Sequence, residues 1–180
     1  VIRISSTQEN KPMSIFSGIN SAQVTKQGVY LEPGQHILRV DRCKLQQSQK
    51  NPSKYYFVAE LTVIDTDNTK HYPGQQVTWL QDMDKPNRQG ALGNLKAFAT
   101  AFDPSPDANI TEEEMNTIVS SENPLAGFRV RATGILLDTK SGGKFTKFNW
   151  DYCEADQTLA DFGLKPEPSP LNGSIAPPAF

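Results

Sequence analysis

Between Tyr55 and Ile64 the side chains alternate so regularly that only an extended strand accommodates them. Phe57, Ala59, Leu61 and Val63 share one face, against Tyr56, Val58, Glu60 and Thr62 on the other. A strand with one apolar face belongs to a sheet with one covered face. The neighbouring segments are read from that anchor. His36 to Leu45 also alternates, with Leu38 and Val40 in phase, but the phase slips to Cys43 and Leu45 and predicts a β-bulge near Asp41-Arg42. A polar loop, Gln46 to Lys54, joins the two strands. Asp65-Thr66-Asp67-Asn68-Thr69 carries turn chemistry, and a third strand follows around Gln75–Leu80, its start delayed by Pro73-Gly74.

The pattern then changes period. Leu92, Leu95, Phe98, Ala99 and Phe102 recur at three- and four-residue spacing and predict an amphipathic helix over about 88–102. Thr111 with Glu114 three positions later is a capping box opening a second helix, whose apolar side is Met115, Ile118 and Val119. Phe128, Val130 and Ala132 alternate with Arg129, Arg131 and Thr133 in a fourth strand that Gly134 is expected to bend before Ile135–Leu137. A hairpin loop at Asp138–Gly143 leads to a fifth strand carrying Phe148, Trp150 and Tyr152. The fold class is therefore mainly β with a helical insert. Its order β-β-β-α-α-β-β is that of a five-stranded OB-fold-like barrel, an order that an open α+β sheet can share.

Composition sets limits on the class. At 180 residues, 37% hydrophobic and 21% charged, the chain holds one domain with a core, plus tails. We divide it into a polar N-terminal extension (1–34), the OB-fold-like domain (35–152) and an acidic, proline-rich C-terminal tail (153–180). Met13 would make a natural start, which leaves 1–12 as an upstream extension or a remnant. No apolar run approaches the roughly 20 residues of a membrane span, and no leader pattern opens the chain. A cytoplasmic place, in a bacterial host cell, is the expectation. Cys43 and Cys153 are single thiols outside any metal-ligand spacing, and either reduced or paired states suit the sequence.

The net charge of −2 hides a segregation. Arg39 to Lys54 holds five basic residues against Asp41, and Arg129 to Lys147 five against Asp138, a local +4 each; residues 82–122 carry −5 and the segment from 151 onward −4. In an OB-fold the loops after strands one and four flank one groove floored by strands two and three. Arg42, Lys44, Lys50, Lys54, Arg129, Arg131, Lys140, Lys144 and Lys147 are therefore candidate phosphate contacts. Tyr55, Tyr56, Trp79 and Phe145 are candidate stacking faces for bases. Tyr55 and Tyr56 point to opposite faces, so at most one stacks. Trp79 suits core or groove equally, and Phe57, Phe148 and Trp150 read as core. The arginines alternate with core positions, where surface ion pairs are the common role.

Catalysis and cofactors find no support. His36 and His71 stand outside any motif. The acidic pairs Asp65/Asp67 and Asp82/Asp84 read as turn chemistry, Glu112-Glu113-Glu114 suits a helix N-terminus, and Gly142-Gly143-Lys144 lacks the context of a phosphate loop. We read a non-enzyme with no cofactor and no metal.

Gly34-x-His36-x-Leu38-x-Val40, then Lys44 through a polar loop to Tyr55-Tyr56-Phe57, then Gly74-x-x-Val77-x-Trp79 and Gly90-Ala91-Leu92-Gly93-Asn94-Leu95 together resemble phage-encoded single-stranded DNA-binding proteins of the OB-fold type. The resemblance covers roughly 30–152. It implies sequence-tolerant binding and protection of single-stranded DNA in replication or recombination. It also implies an acidic tail with a hydrophobic tip that recruits replication or recombination proteins. Here the chain ends in Ala176-Pro177-Pro178-Ala179-Phe180 with its acids far upstream, a departure that weakens tail recruitment. A homo-oligomer fits either this reading or its rival, a phage virion or assembly component that uses a small barrel with extended arms.

Overall fold

The computed structural model describes residues 28–84, 88–139 and 142–163. Five antiparallel strands form one open sheet in the order β3-β2-β1-β4-β5. They are β1 (Gly34–Gln47), β2 (Tyr55–Thr66), β3 (Gln76–Asp82), β4 (Arg129–Asp138) and β5 (Lys144–Tyr152), with α1 (Arg88–Thr100) and α2 (Glu112–Ile118) between β3 and β4. Phe57, Ala59, Leu61 and Val63 are all fully buried, as the alternation of β2 predicts.

The long β1 is the hinge of the sheet. His36 to Gln47 pairs with β2, whereas only Gly34 to Arg39 pairs with β4. The expected bulge lies between Val40 and Arg42, and a second irregularity lies between Ile37 and Leu38. Beyond the point where β4 leaves, a side chain completes the ladder. Asn123 accepts from the Cys43 N–H at 2.8 Å and donates to the Cys43 carbonyl at 2.7 Å. Its own backbone sits at φ 45°, where asparagine is tolerated better than most residues.

Although β3 and β5 form the sheet's two edges, their inward side chains meet. The Trp79 and Trp150 ring centroids are 4.8 Å apart, so the sheet curls into a small barrel-like shape. α1 packs against both edge strands. It inserts Phe98 among Trp79 (5.1 Å), Trp150 (4.9 Å) and Phe57 (5.8 Å). The helix buries Leu95, Phe98 and Ala99 as expected, with Phe102 packed against the core, and departs from the expectation in its first turn. Ala91 is buried with Leu95, Phe98 and Ala99, while Leu92 is exposed, because the helix meets the barrel one position earlier in its first turn. α2 carries the Thr111–Glu114 capping box as read from the sequence. Gly134 is required by a close approach: a Cβ there would lie 2.6 Å from the Phe148 ring and 3.0 Å from the Pro33 Cα.

Packing continues past both expected boundaries of the domain. Leu31 joins the main core, and Val29–Leu31 runs along the edge of β3, with Tyr30 bridging Thr78 in parallel. After β5, a 3-10 helix at Leu159–Phe162 lays Leu159 on Ile37 and Cys153 at the outer face of the sheet. Its start is tied by the Leu159 N–H to Asp65 (2.9 Å). Both cysteines are free and buried, in separate clusters. Burial, with the Glu60 charge adding to it, pushes the Cys43 thiol up to about 12. The expectations for residues 1–12 and for the tail beyond 163, including Phe180, lie outside the described residues.

Candidate nucleic-acid interface

The outer face of β1, β2 and β3 is concave. Cross-strand pairing sets Lys44 beside Val58, Val58 beside Leu80, and Gln46 beside Tyr56. The hollow so formed is about 570 Å³ and is also walled by the β1–β2 loop at Ser48–Lys50 and by Gly28 and Tyr30 of the N-terminal strap. The apolar part of its floor is Val58, only 5% exposed although it points away from the core, and Leu80, with Glu60 and Thr78 next to them. Tyr56 and Tyr30 flank that floor. From the strand pairings they lie two strands across and four residues along, a separation of about 16 Å.

The candidate cations fall into three groups. Arg42 and Lys50 are exposed and form no ion pair among the described residues, with Arg42 opposite Glu60 at the end of the groove. Lys44 lines the groove but is paired to Glu60. Lys54 is turned aside, held by Asp84 (3.1 Å) and Asp82 (3.4 Å), whose carboxylates raise its ammonium above the usual range. The third group lies on other strands. Arg131 is paired to Asp151 at 2.9 Å and stacked under the Phe162 ring at 4.2 Å, on the face the 3-10 helix covers. Arg129 is its half-buried neighbour, across from Arg39. Both are therefore outside the groove that the charge count assigned them to.

Lys144, Phe145 and Lys147 are exposed on β5. Phe145 and Lys147 alternate with Thr146 and Phe148, which reach the gap beside Tyr30, Leu31 and Leu80, and Lys144 opens the strand in phase with Thr146. None of the three lines the groove itself. Lys140 lies outside the described residues. Tyr55 points to the opposite face from Tyr56 and stands exposed beyond the end of the core. Trp79 departs from the expectation of a stacking face, because its ring is 7% exposed and enclosed by Phe57, Phe98 and Trp150. The sequence reading missed Tyr30 and the apolar floor of Val58 and Leu80. The apolar and aromatic run Val29-Tyr30-Leu31 was the available signal for the first.

Among the described residues no three of His, Cys, Asp and Glu gather as metal ligands would, and no helix is long and apolar enough to cross a membrane. No protein-family model matches the sequence, and no curated protein matches it.

Proposed function

We propose that this chain is a single-stranded DNA-binding module of the OB-fold type, acting in DNA replication or recombination. Support for the fold comes from the strand order. β1 is shared by β2 and β4, helices follow β3, and the edge strands curl together at Trp79 and Trp150, as in a partly open Greek-key barrel. The observation that carries the function is the groove on β1–β3, where an apolar floor lies between two tyrosines and beside unpaired cations. Bases stack on Tyr56 and Tyr30, and phosphates meet Lys50 and Arg42. This is a sequence-tolerant mode, because every base offers a π-face.

The test is anisotropy of a labelled oligo-dT and of a duplex of equal length. The salt dependence follows from the charge inventory. Arg42 and Lys50, with Lys44 exchanging Glu60 for phosphate, give about two to three phosphate contacts and a log–log slope of about −1.4 to −2.1. Raising salt from about 50 to 200 mM then weakens binding about 7- to 20-fold. Had all seven of Lys44, Lys50, Lys54, Arg129, Arg131, Lys144 and Lys147 engaged, the loss would be nearly a thousandfold, roughly. Absence of single-strand binding, or equal affinity for the duplex, refutes the proposal.

One observation favours the assembly reading. Ile135, Leu136, Leu137 and Phe145 are all exposed on the β4–β5 ribbon, which extends past the end of β1. Exposed apolar ribbons mark interfaces or aggregation sites. A chain that forms discrete oligomers and ignores oligo-dT supports assembly in place of DNA binding.

A further inference from the structure

One wall of the groove is held by an unusual fastening. The strap carrying Tyr30 lies along β3 through two backbone bonds, Leu31 N–H to the Thr78 carbonyl (3.0 Å) and Thr78 N–H to the Val29 carbonyl (2.7 Å). Next to them, the Glu32 backbone is gripped by two buried imidazoles. Its N–H donates to Nε2 of His71 at 3.0 Å, and its carbonyl faces Nε2 of His36 at 2.9 Å. The two rings meet edge to face at 5.5 Å.

These contacts dictate where the protons are. A backbone N–H only donates, so Nε2 of His71 is bare and its proton is on Nδ1, which donates to Oε1 of Gln75 (3.0 Å). That oxygen also accepts from the Tyr72 N–H, which fixes the orientation of the Gln75 amide. A carbonyl only accepts, so Nε2 of His36 carries the proton and Nδ1 accepts from Thr66 Oγ1 (2.9 Å). Protonating His71 sets two donors face to face at Glu32. Protonating His36 buries a charge beside the other ring.

The surrounding charges do not cancel this. Burial is the largest influence holding His36 below the ordinary imidazole range, and His71 adds to it. The Glu32 carbonyl and Asp67 oppose it. Asp67 is already bonded to the Gln35 N–H, the Glu32 carboxylate to Lys70, and Asp65 to the Thr66 and Leu159 N–H groups.

We infer that His71 and His36 are positioning residues for the Tyr30 wall of the groove, and that proton uptake by the pair releases the strap from β3. The consequence for single strands rests on the function proposed above; the release itself does not. A histidine kept neutral while latched and returned to its ordinary value of about 6.5 on release raises the release constant about tenfold between pH 7.5 and 5.5.

The experiment is amide hydrogen exchange on the full chain by NMR at pH 7.5 and 5.5, each rate divided by its intrinsic rate. Protection at Leu31 and Glu32 should lie below that of the β1–β2 ladder and fall about tenfold on acidification, because the strap opens without unfolding the sheet. His71→Gln, neutral at either pH and still able to accept from Glu32, should weaken that dependence. Strap protection that does not change with pH, or that equals the ladder's at both pH values, overturns the inference even if the variant does not fold. Oligo-dT affinity at fixed salt gives the second readout. Acidification adds positive charge and by itself tightens binding, so a weaker complex at pH 5.5 identifies loss of the wall. Tyr30→Ala should weaken the complex fivefold or more at pH 7.5 and reduce its pH dependence. If oligo-dT does not bind even at pH 7.5, the DNA reading falls and exchange alone decides the latch.

Discussion

Trp79 separates a stacking platform from a core residue, and the two roles differ in which measurement they move. A buried aromatic removes about 150–250 Å² from water, which at about 25 cal/mol per Å² is an upper figure of about 4–6 kcal/mol. Truncations of this kind cost about 3–5 kcal/mol. Trp79 contacts three aromatic rings, so Trp79→Ala belongs at the upper end of that range. Against a total stability of about 5–15 kcal/mol the variant loses a third or more, or unfolds. With a urea slope of about 2 kcal/mol per M, the midpoint falls by about 1.5–2.5 M. Trp79→Phe, which keeps one ring among Phe57, Phe98 and Trp150, should cost about 1–2 kcal/mol and fold. The assay is urea unfolding by far-UV circular dichroism, paired with oligo-dT anisotropy on the Phe variant. A core role predicts a lowered midpoint and unchanged affinity. An unchanged midpoint with binding weakened about tenfold, the size of one lost stack, would refute the core assignment.

Three more outcomes follow from particular contacts. Asn123→Ala should cost about 2–3 kcal/mol for its two bonds to the Cys43 peptide. Asn123→Gly should cost about 1 kcal/mol less because φ 45° suits glycine; urea midpoints rank the two. Gly134→Ala should destabilise by about 1–3 kcal/mol through overlap with Phe148 and Pro33, and combining it with Phe148→Leu should recover part of the loss in a double-mutant cycle. Stability should also fall on acidification: His36 titrates lower in the folded chain than its usual 6.5, so the unfolded chain binds more protons as pH drops below about 6.5. Thermal melts from pH 7.5 to 4.5 should show that decline, and His36→Gln should flatten it.

The sheet was readable where structure is local. Period-two alternation gave β2, a slip of phase gave the β1 bulge between Val40 and Arg42, and Thr111 with Glu114 gave the start of α2. Each depends on neighbours a few residues apart. The strap was not readable, because Val29–Leu31 is an ordered edge only through its pairing with Thr78, a partner dozens of residues away. Leu92 failed for a related reason. It lies beside the apolar stripe in helical phase, yet only the angle at which α1 meets Trp79 and Trp150 decides that Ala91 is the residue covered.

Charge was the least readable property, and the reason is geometric. Counting along the chain gives Arg39–Lys54 a surplus of four, but strands place their acids across the sheet, not along it. Glu60 on β2 meets Lys44 on β1, Asp82 on β3 meets Lys54 before β2, and Asp151 on β5 meets Arg131 on β4. Each pair joins segments that a linear count treats as separate. What survives among the described residues is one free cation at each end of an apolar floor, Arg42 opposite Glu60 and Lys50 in the β1–β2 loop. A site of that kind draws more of its affinity from stacking than from phosphate. At about 1–3 kcal/mol per stacked base, Tyr56 and Tyr30 outweigh the few counterions that the free cations release. Salt should therefore modulate binding here, and removal of the tyrosines should abolish it.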